Sequence, residues 1–319
     1  VRAVEGVSLS LDARKTLGVV GESGSGKSVT AQTIIGLTRF PNATISGRIM
    51  FDGHDLVTMD SNHLRAIRGA RIAMIFQDPL SSLHPFFKVG HQIVEAIRVH
   101  EDVPRDVARK RTIEALRSVG IPSPEERFDS FPHEMSGGMR QRAMIAMALA
   151  LRPDILIADE PTTALDVTVQ AQVLELIQAL RDDFGTAVML ITHDLGVVAQ
   201  MCDDVAVMYA GRVLEQAPRE VLFNGPQHPY TWGLLQSIPR LDAPRTDRLS
   251  PIAGSPPSLI NPPHGCKFHP RCPYVPPPAY ETEPPLAEAE TGHLVRCHLP
   301  VEERRKLWQS LQQEHPALR

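Results

Sequence analysis

The chain has 319 residues, with 33 Lys and Arg against 37 Asp and Glu and a formal net charge of −4. That length leaves room for about two domains, and 42% apolar residues support a sizeable core. The slight acidity excludes nucleic-acid binding that relies on bulk positive charge. No run of about 18 uncharged apolar residues exists, so no segment reads as a membrane span. The first residues, Val1-Arg2-Ala3-Val4-Glu5, carry no signal-peptide pattern and no Met, which reads as a cytosolic chain lacking its first residues.

In chain order, an apolar β-rich run at 16–20 leads into Gly21-Glu22-Ser23-Gly24-Ser25-Gly26-Lys27-Ser28, with a helix expected over 29–37. Glycines let the backbone approach an anion and take φ > 0, and successive N–H groups then converge on phosphate at a helix start. In such a loop Lys27 reaches the β- and γ-phosphates and the Ser28 hydroxyl ligates Mg²⁺. A second strand at 72–76 ends at Gln77. From about 88 to 150 the apolar spacing is helical (Val94, Ile97; Val107, Ile113, Leu116), which predicts a helical subdomain, about 78–150, inserted between sheet strands. Inside it Met135-Ser136-Gly137-Gly138-Met139-Arg140-Gln141-Arg142 precedes a helix. Ser136 is a natural N-cap; Gly137 and Gly138 mark either a plain helix start or a second anion site.

A strand at 155–158 ends in Asp159 and Glu160, an acidic pair fit to hold Mg²⁺ and to polarise an attacking water. A helix over 169–180, a strand over 187–192 ending at His193, and a hairpin over 203–215 turning at Ala210-Gly211 follow. Short, nearly continuous apolar runs are the pattern of parallel strands buried on both faces. Beyond residue 217 the character changes: 19 of the 28 prolines lie there, and proline breaks helices and cannot donate to sheet ladders. That predicts a loop-rich or disordered module, closed by a charged, solvated helix over 301–313. Three of the four cysteines, Cys266, Cys272 and Cys297, fall in it, while Cys202 fills an apolar gap. In a cytosolic chain such cysteines point to a metal site or to simple packing.

The ordered motifs resemble the ATPase subunits of ABC transporters over residues 1 to about 217. The resemblance implies an α/β P-loop ABC ATPase fold, a mixed, mainly parallel sheet core with an inserted helical subdomain, plus a small irregular C-terminal extension. It assigns Gly21 to Ser28 to the phosphate loop and Gln77 to the Q-loop, beside the Mg²⁺ held by Ser28 and Asp159. Glu160 becomes the catalytic glutamate and His193 the switch histidine. Ala164-Leu165-Asp166 is the D-loop. Ser136, Gly137 and Gly138 would close in trans over the nucleotide of a second ATPase domain, where the common Leu-Ser-Gly-Gly-Gln is here Met-Ser-Gly-Gly-Met.

Two stretches, 132–142 and 160–170, resemble the dipeptide/oligopeptide importer group, which includes nickel and glutathione importers. His228-Pro229-Tyr230-Thr231, Leu234-Leu235 and Ser237-Ile238-Pro239 resemble the start of that group's C-terminal extension. The implied domains are an ABC nucleotide-binding domain over 1–225, the extension over 226–300 and a tail, helical or disordered, over 301–319. In this group four cysteines can hold an iron–sulfur cluster; here the expected third is Ala279. A cluster, a zinc site completed by His264, His269, His293 or His298, and plain packing all stay open.

The resemblance also implies ATP and Mg²⁺, permease transmembrane subunits as partners, a second and distinct ATPase subunit, and indirectly an extracytoplasmic peptide-binding protein. The expected location is the cytoplasmic face of the inner membrane, with no nucleic-acid partner. A soluble ABC ATPase acting on nucleic acid or ribosomes is the competing class. It is disfavoured by the single ABC unit and the negative charge, and a P-loop kinase by the Ser136-Gly137-Gly138 element. An adenine-stacking aromatic is expected upstream of the phosphate loop, yet none occurs in residues 1–20.

Overall fold

The computed structural model of the chain describes residues 1–78, 82–163, 165–237 and 252–314. Ala164 of the expected D-loop, Ile238 and Pro239 of the extension motif, and the tail beyond 314 lie outside them. In chain order the elements are β1 (Thr16–Val20), α1 (Lys27–Ile34), β2 (Met50–Phe51), β3 (His54–Asp55), α2 (Ser61–Ile67) and β4 (Ile72–Ile75). Four helices follow: α3 (Val89–His100), α4 (Arg105–Ser118), α5 (Pro124–Arg127) and α6 (Gly137–Leu149). Then come β5 (Ile155–Asp159), α7 (Val167–Phe184), β6 (Ala187–Thr192), α8 (Leu195–Met201), β7 (Asp204–Tyr209) and β8 (Arg212–Pro218). The last elements are α9 (Arg219–Asn224), α10 (Pro229–Gln236), β9 (Ala287–Glu290), β10 (His293–Val295) and α11 (Val301–Glu314).

The chain divides into two compact units. One comprises Leu11–Lys15 and Ala31–Ile191. Its strands β4, β5 and β6 run parallel, with Ile72 opposite Ile155 and Ile155 opposite Ala187. Almost every residue of these strands is buried, as a sheet covered on both faces requires. Among the described residues between β4 and β5 the regular elements are all helices, as the 3.6-residue apolar spacing predicts. Ile93, Ile97, Leu116 and Met144 are buried among α3, α4 and α6; each such side chain contributes about 1.5–3 kcal/mol.

The other unit comprises Val1–Ser10, Thr16–Thr30 and Thr192–Arg319. Here β1 runs parallel to β7, which forms a hairpin with β8. The turn is at Ala210 and Gly211, with φ of 46° and 76°, the doubly positive geometry that a two-residue hairpin favours. The proline-rich region contains more regular structure than its composition predicts. β10 pairs antiparallel with β8 and with β9, so two late strands extend this sheet. The terminal helix is also not simply solvated. Arg304 and Trp308, one turn apart on α11, are buried, and Trp308 stacks on Trp232 of α10 with ring centroids 6.2 Å apart.

Helix ends shift by a few residues from expectation. α1 begins at Lys27 instead of 29, because the phosphate loop itself supplies the first turn. α7 runs 167–184, longer than 169–180, between an Asp166 cap and a left-handed Gly185.

Candidate functional site

The phosphate loop follows β1 and opens α1. Gly21 has φ of 149°, and a Cβ there would sit 2.1 Å from the Met208 carbonyl oxygen of β7. Gly26 has φ of 100° and a Cβ would meet the Ala3 carbonyl at 2.8 Å. Only glycine fits either place. The Gly211 N–H, in the β7–β8 turn, donates to the Ser25 carbonyl at 2.9 Å. The Lys27 ammonium is buried and donates to the carbonyls of Gly21 (2.7 Å) and Glu22 (2.9 Å) and to Ser25 Oγ (3.3 Å). Ser23 and Gly24 are exposed at the loop's tip, and Ser28 is half-buried in the first turn of α1.

The carboxylates occupy the C-terminal end of β5, where open α/β sheets place their ligands. Asp159 is buried. Glu160 takes a positive φ of 48°, unusual for a side-chain-bearing residue. That turns it out of the strand while its N–H still reaches the Ile191 carbonyl of β6 at 2.9 Å. Two donors hold its carboxylate: Gln77 Nε2 at 3.0 Å, from the loop after β4, and Thr163 Oγ1 at 2.9 Å. The structure thus brings Gln77 and Glu160 together and adds Thr163, whose hydroxyl faces back onto the residue three before it. His193 lies directly after β6 and is exposed, and Asp194 beside it caps α8 by accepting from Gly196 and Val197 N–H.

Ser136 caps α6, its hydroxyl accepting from the Met139 N–H at 3.3 Å. Ser136 and Gly137 are exposed, and a Cβ on Gly137 would touch nothing within 4 Å. The exposed N-terminus of a helix is a surface that favours an anion. Asp166 caps α7 by accepting from Val169 N–H at 2.9 Å. Sequence reasoning gave Gln141 no role, although it stands in the same motif. It is buried in α6 and donates to the Pro161 carbonyl at 2.7 Å, tying this helix to the residue after Glu160.

Of the three readings open for the cysteines, packing is the one the geometry supports. Cys266, Cys272 and Cys297 line one cavity of ≈ 20 Å³ with His228, His269, His298 and Ala279, about one water in size. Yet among the described residues no three His, Cys, Asp or Glu side chains form a group fit to hold a metal. Burial raises all three thiols, Cys272 to about 12 and Cys297 to about 11, which opposes the thiolate form a metal needs. Backbone groups engage the ring nitrogens: His269 Nδ1 with the Cys266 carbonyl, His298 Nε2 with that of Thr282. His293 pairs with Glu215, and the buried Ala279 accepts from the Cys266 N–H. These residues do not fit a cluster or a zinc ion.

Comparison with known proteins agrees with this geometry. Residues 4–163 match the family described as ABC transporter, and residues 214–277 match the oligopeptide/dipeptide transporter, C-terminal region. The oligopeptide transport ATP-binding protein OppD of Bacillus subtilis is 51% identical over 300 residues, covering 94% of this chain and 84% of that protein. The dipeptide transport ATP-binding protein DppD of the same organism is 51% identical, covering 94% and 89%. Among solved structures, the dimeric ATP-binding cassette MJ0796, in a post-hydrolysis state bound to ADP and Pi, has a TM-score of 0.62 and 26% identity. The match covers 68% of this chain and 90% of that one.

Proposed function

The chain belongs to the ABC transporter family, and on that premise we propose how its residues carry out ATP hydrolysis and couple it to peptide import. The fold is that of a P-loop ABC ATPase. The relatives are named as oligopeptide and dipeptide transport ATP-binding proteins, and the matching C-terminal region bears the same description; peptides are accordingly the cargo we assign. No helix among the described residues is long and apolar enough to cross a membrane. The relatives' names as transport ATP-binding proteins support permease subunits as the route through the bilayer. This chain is their peripheral partner on the cytoplasmic face. The permease-facing surface is the region around residues 78–130.

Phosphoryl transfer to water needs positioning and charge stabilisation more than covalent chemistry. Lys27 and N–H groups of the loop from Gly21 to Ser28, other than that of Glu22, take the phosphates. Ser28, Asp159 and Gln77 are the residues we assign to Mg²⁺, oxygen donors of the kind that suit it; the ion, when bound, neutralises phosphate charge. Glu160 accepts a proton from the attacking water or orients it, and His193 steadies the γ-phosphate. Ser136, Gly137 and Gly138 act on the nucleotide of a second, distinct ATPase subunit, so that ATP joins the two and hydrolysis releases them; Asp166 of the D-loop is a further nucleotide-binding residue. An extracytoplasmic peptide-binding protein supplies cargo on the far side.

The observation that carries this reading is the Glu160 carboxylate held by Gln77 and Thr163, in a chain whose β1 feeds a glycine-rich phosphate loop. The test is Glu160→Gln in the transporter reconstituted in vesicles. ATP binding stays, while turnover and peptide uptake fall by 10² to 10⁴, roughly the contribution of a positioned general base. Hydrolysis at the wild-type rate would overturn the assignment.

A further inference from the structure

Glu22, the second residue of the phosphate loop, is held at each of its polar groups. Its carbonyl accepts from Lys27 Nζ at 2.9 Å. Its N–H donates to Tyr230 Oη at 2.9 Å. Its carboxylate accepts from both terminal nitrogens of Arg271, at 2.5 and 3.1 Å. Two of these three partners come from the C-terminal region, and Arg271 is 249 residues away in sequence.

Arg271 is a built fixture and not a surface side chain. Its side chain is 3% exposed. Its Nε donates to the Ala253 carbonyl at 2.9 Å and a terminal nitrogen to that of Ile252 at 3.2 Å. The guanidinium lies over the Tyr209 ring, 5.8 Å from its centroid. Tyr209, Tyr230 and Phe268 pack against one another with centroids 4.7 to 5.4 Å apart, so the last residue of β7 and two residues of the C-terminal region form one aromatic block. Burial works against the Arg271 charge, but Glu22 and Tyr209 together, through hydrogen bonds and charge, more than offset it and its pKa is raised. A two-pronged Arg–carboxylate pair fixes orientation as well as charge.

We infer that Arg271 and Tyr230 are positioning residues for the ATPase reaction, acting through Glu22 to hold the phosphate loop in the form that accepts a nucleoside triphosphate. This deepens the proposed function and rests on the loop binding ATP. The physical reason is twofold. Without Arg271, Glu22 becomes an uncompensated anion within a loop whose ligand is a polyanion. Without both partners, the carbonyl that Lys27 grips is free to turn, and the lysine loses its anchor. The C-terminal region thereby becomes part of the nucleotide site.

The test measures ATP binding and steady-state hydrolysis on the full chain, well below its unfolding temperature, with thermal unfolding in parallel. Arg271→Ala raises KM and Kd for ATP about tenfold, the scale of one charge-assisted hydrogen bond, with a smaller change in kcat. Arg271→Lys, which keeps charge but loses the fork, recovers part of the affinity. Tyr230→Phe, which keeps the ring, raises KM several-fold. Glu22→Gln combined with Arg271→Ala weakens binding by less than the product of the two single effects, because both remove one interaction. Variants that unfold at lower temperature yet bind ATP as the unaltered chain does would overturn the inference alone. Failure of the unaltered chain to bind ATP would overturn the functional reading and this inference with it.

Discussion

Gln77 Nε2 donates to Glu160 Oε2 at 3.0 Å, joining the loop after β4 to the end of β5 across paired parallel strands. The two residues are 83 apart in sequence, and their meeting is a direct result of the register that sets Ile75 beside Ala158. Thr163 supplies the second donor to the same oxygen. The glutamate is therefore aimed by its neighbours, and the aim is what each donor contributes. Gln77→Ala removes one of them and lowers kcat for ATP about tenfold, on the scale of a hydrogen bond to a charged group. Thr163→Val acts in the same direction, and the pair of changes is non-additive because both serve one carboxylate. Steady-state kinetics on the three variants checks this; independent, additive losses would show that the donors act elsewhere.

Gln141 reaches from α6 to the Pro161 carbonyl at 2.7 Å inside a buried environment. Gln141→Met fills nearly the same space but leaves that carbonyl without its donor. An unsatisfied buried acceptor costs about 1–3 kcal/mol, read as a lower thermal unfolding midpoint. Because Pro161 follows Glu160, the same change loosens the loop carrying the glutamate and lowers kcat. Unchanged stability and turnover would mean that the carbonyl finds another donor.

Legibility in the sequence followed the range of the interactions. The phosphate loop, the Ser136 cap and the apolar strands are local chemistry: glycine spacing, a hydroxyl before a helix, four or five apolar residues in a row. Each is readable within ten residues, and each stands in the structure where expected. The elements that escaped depend on distant chain. The β9 segment, Ala-Glu-Ala-Glu, has no strand propensity; it is a strand because β10 lies beside it, and its charges suit an edge. Trp308 is buried because Trp232 offers it a face. Nothing near Glu22 announces Arg271. The three cysteines were legible as a cluster in sequence, and they do share a cavity, but burial and the alanine at position 279 set them apart from a metal site.

Those thiols make their own prediction. With Cys272 raised to about 12 and Cys297 to about 11 by burial, and Cys266 raised by the same cause, little thiolate exists at neutral pH, and thiolate is the reactive form. Alkylation of the native chain by iodoacetamide at pH 8 is expected to run at least about tenfold slower at these three positions than at an exposed cysteine, and to quicken as the pH approaches 11. Site-resolved mass spectrometry over time measures it. Rapid labelling at pH 8, or stoichiometric iron or zinc in anaerobically purified protein, would overturn the description of the site.

His228 gives the chain a pH-dependent stability. It is buried before α10, its Nδ1 accepting from the Tyr230 N–H at 3.0 Å, which requires that nitrogen to be unprotonated. Burial, reinforced by the nearby Arg304 charge, lowers its pKa from 6.5 to about 3. Arg296 adds a smaller lowering through its charge, against a backbone hydrogen bond that favours the charged ring. The unfolded chain thus binds this proton below about pH 6.5 while the folded chain does not until about pH 3. Its contribution is fully present above the upper value and is lost as pH falls toward the lower one, with a slope of up to about 1.4 kcal/mol per pH unit for one proton. Urea midpoints at pH 7.5, 6.5, 5.5 and 4.5 (roughly the window between the two values) are expected to fall. His228→Asn, which keeps an acceptor for the Tyr230 N–H but has no titrating ring, flattens the trend even where it lowers stability overall. An equal slope in both proteins would assign the acid sensitivity to other groups.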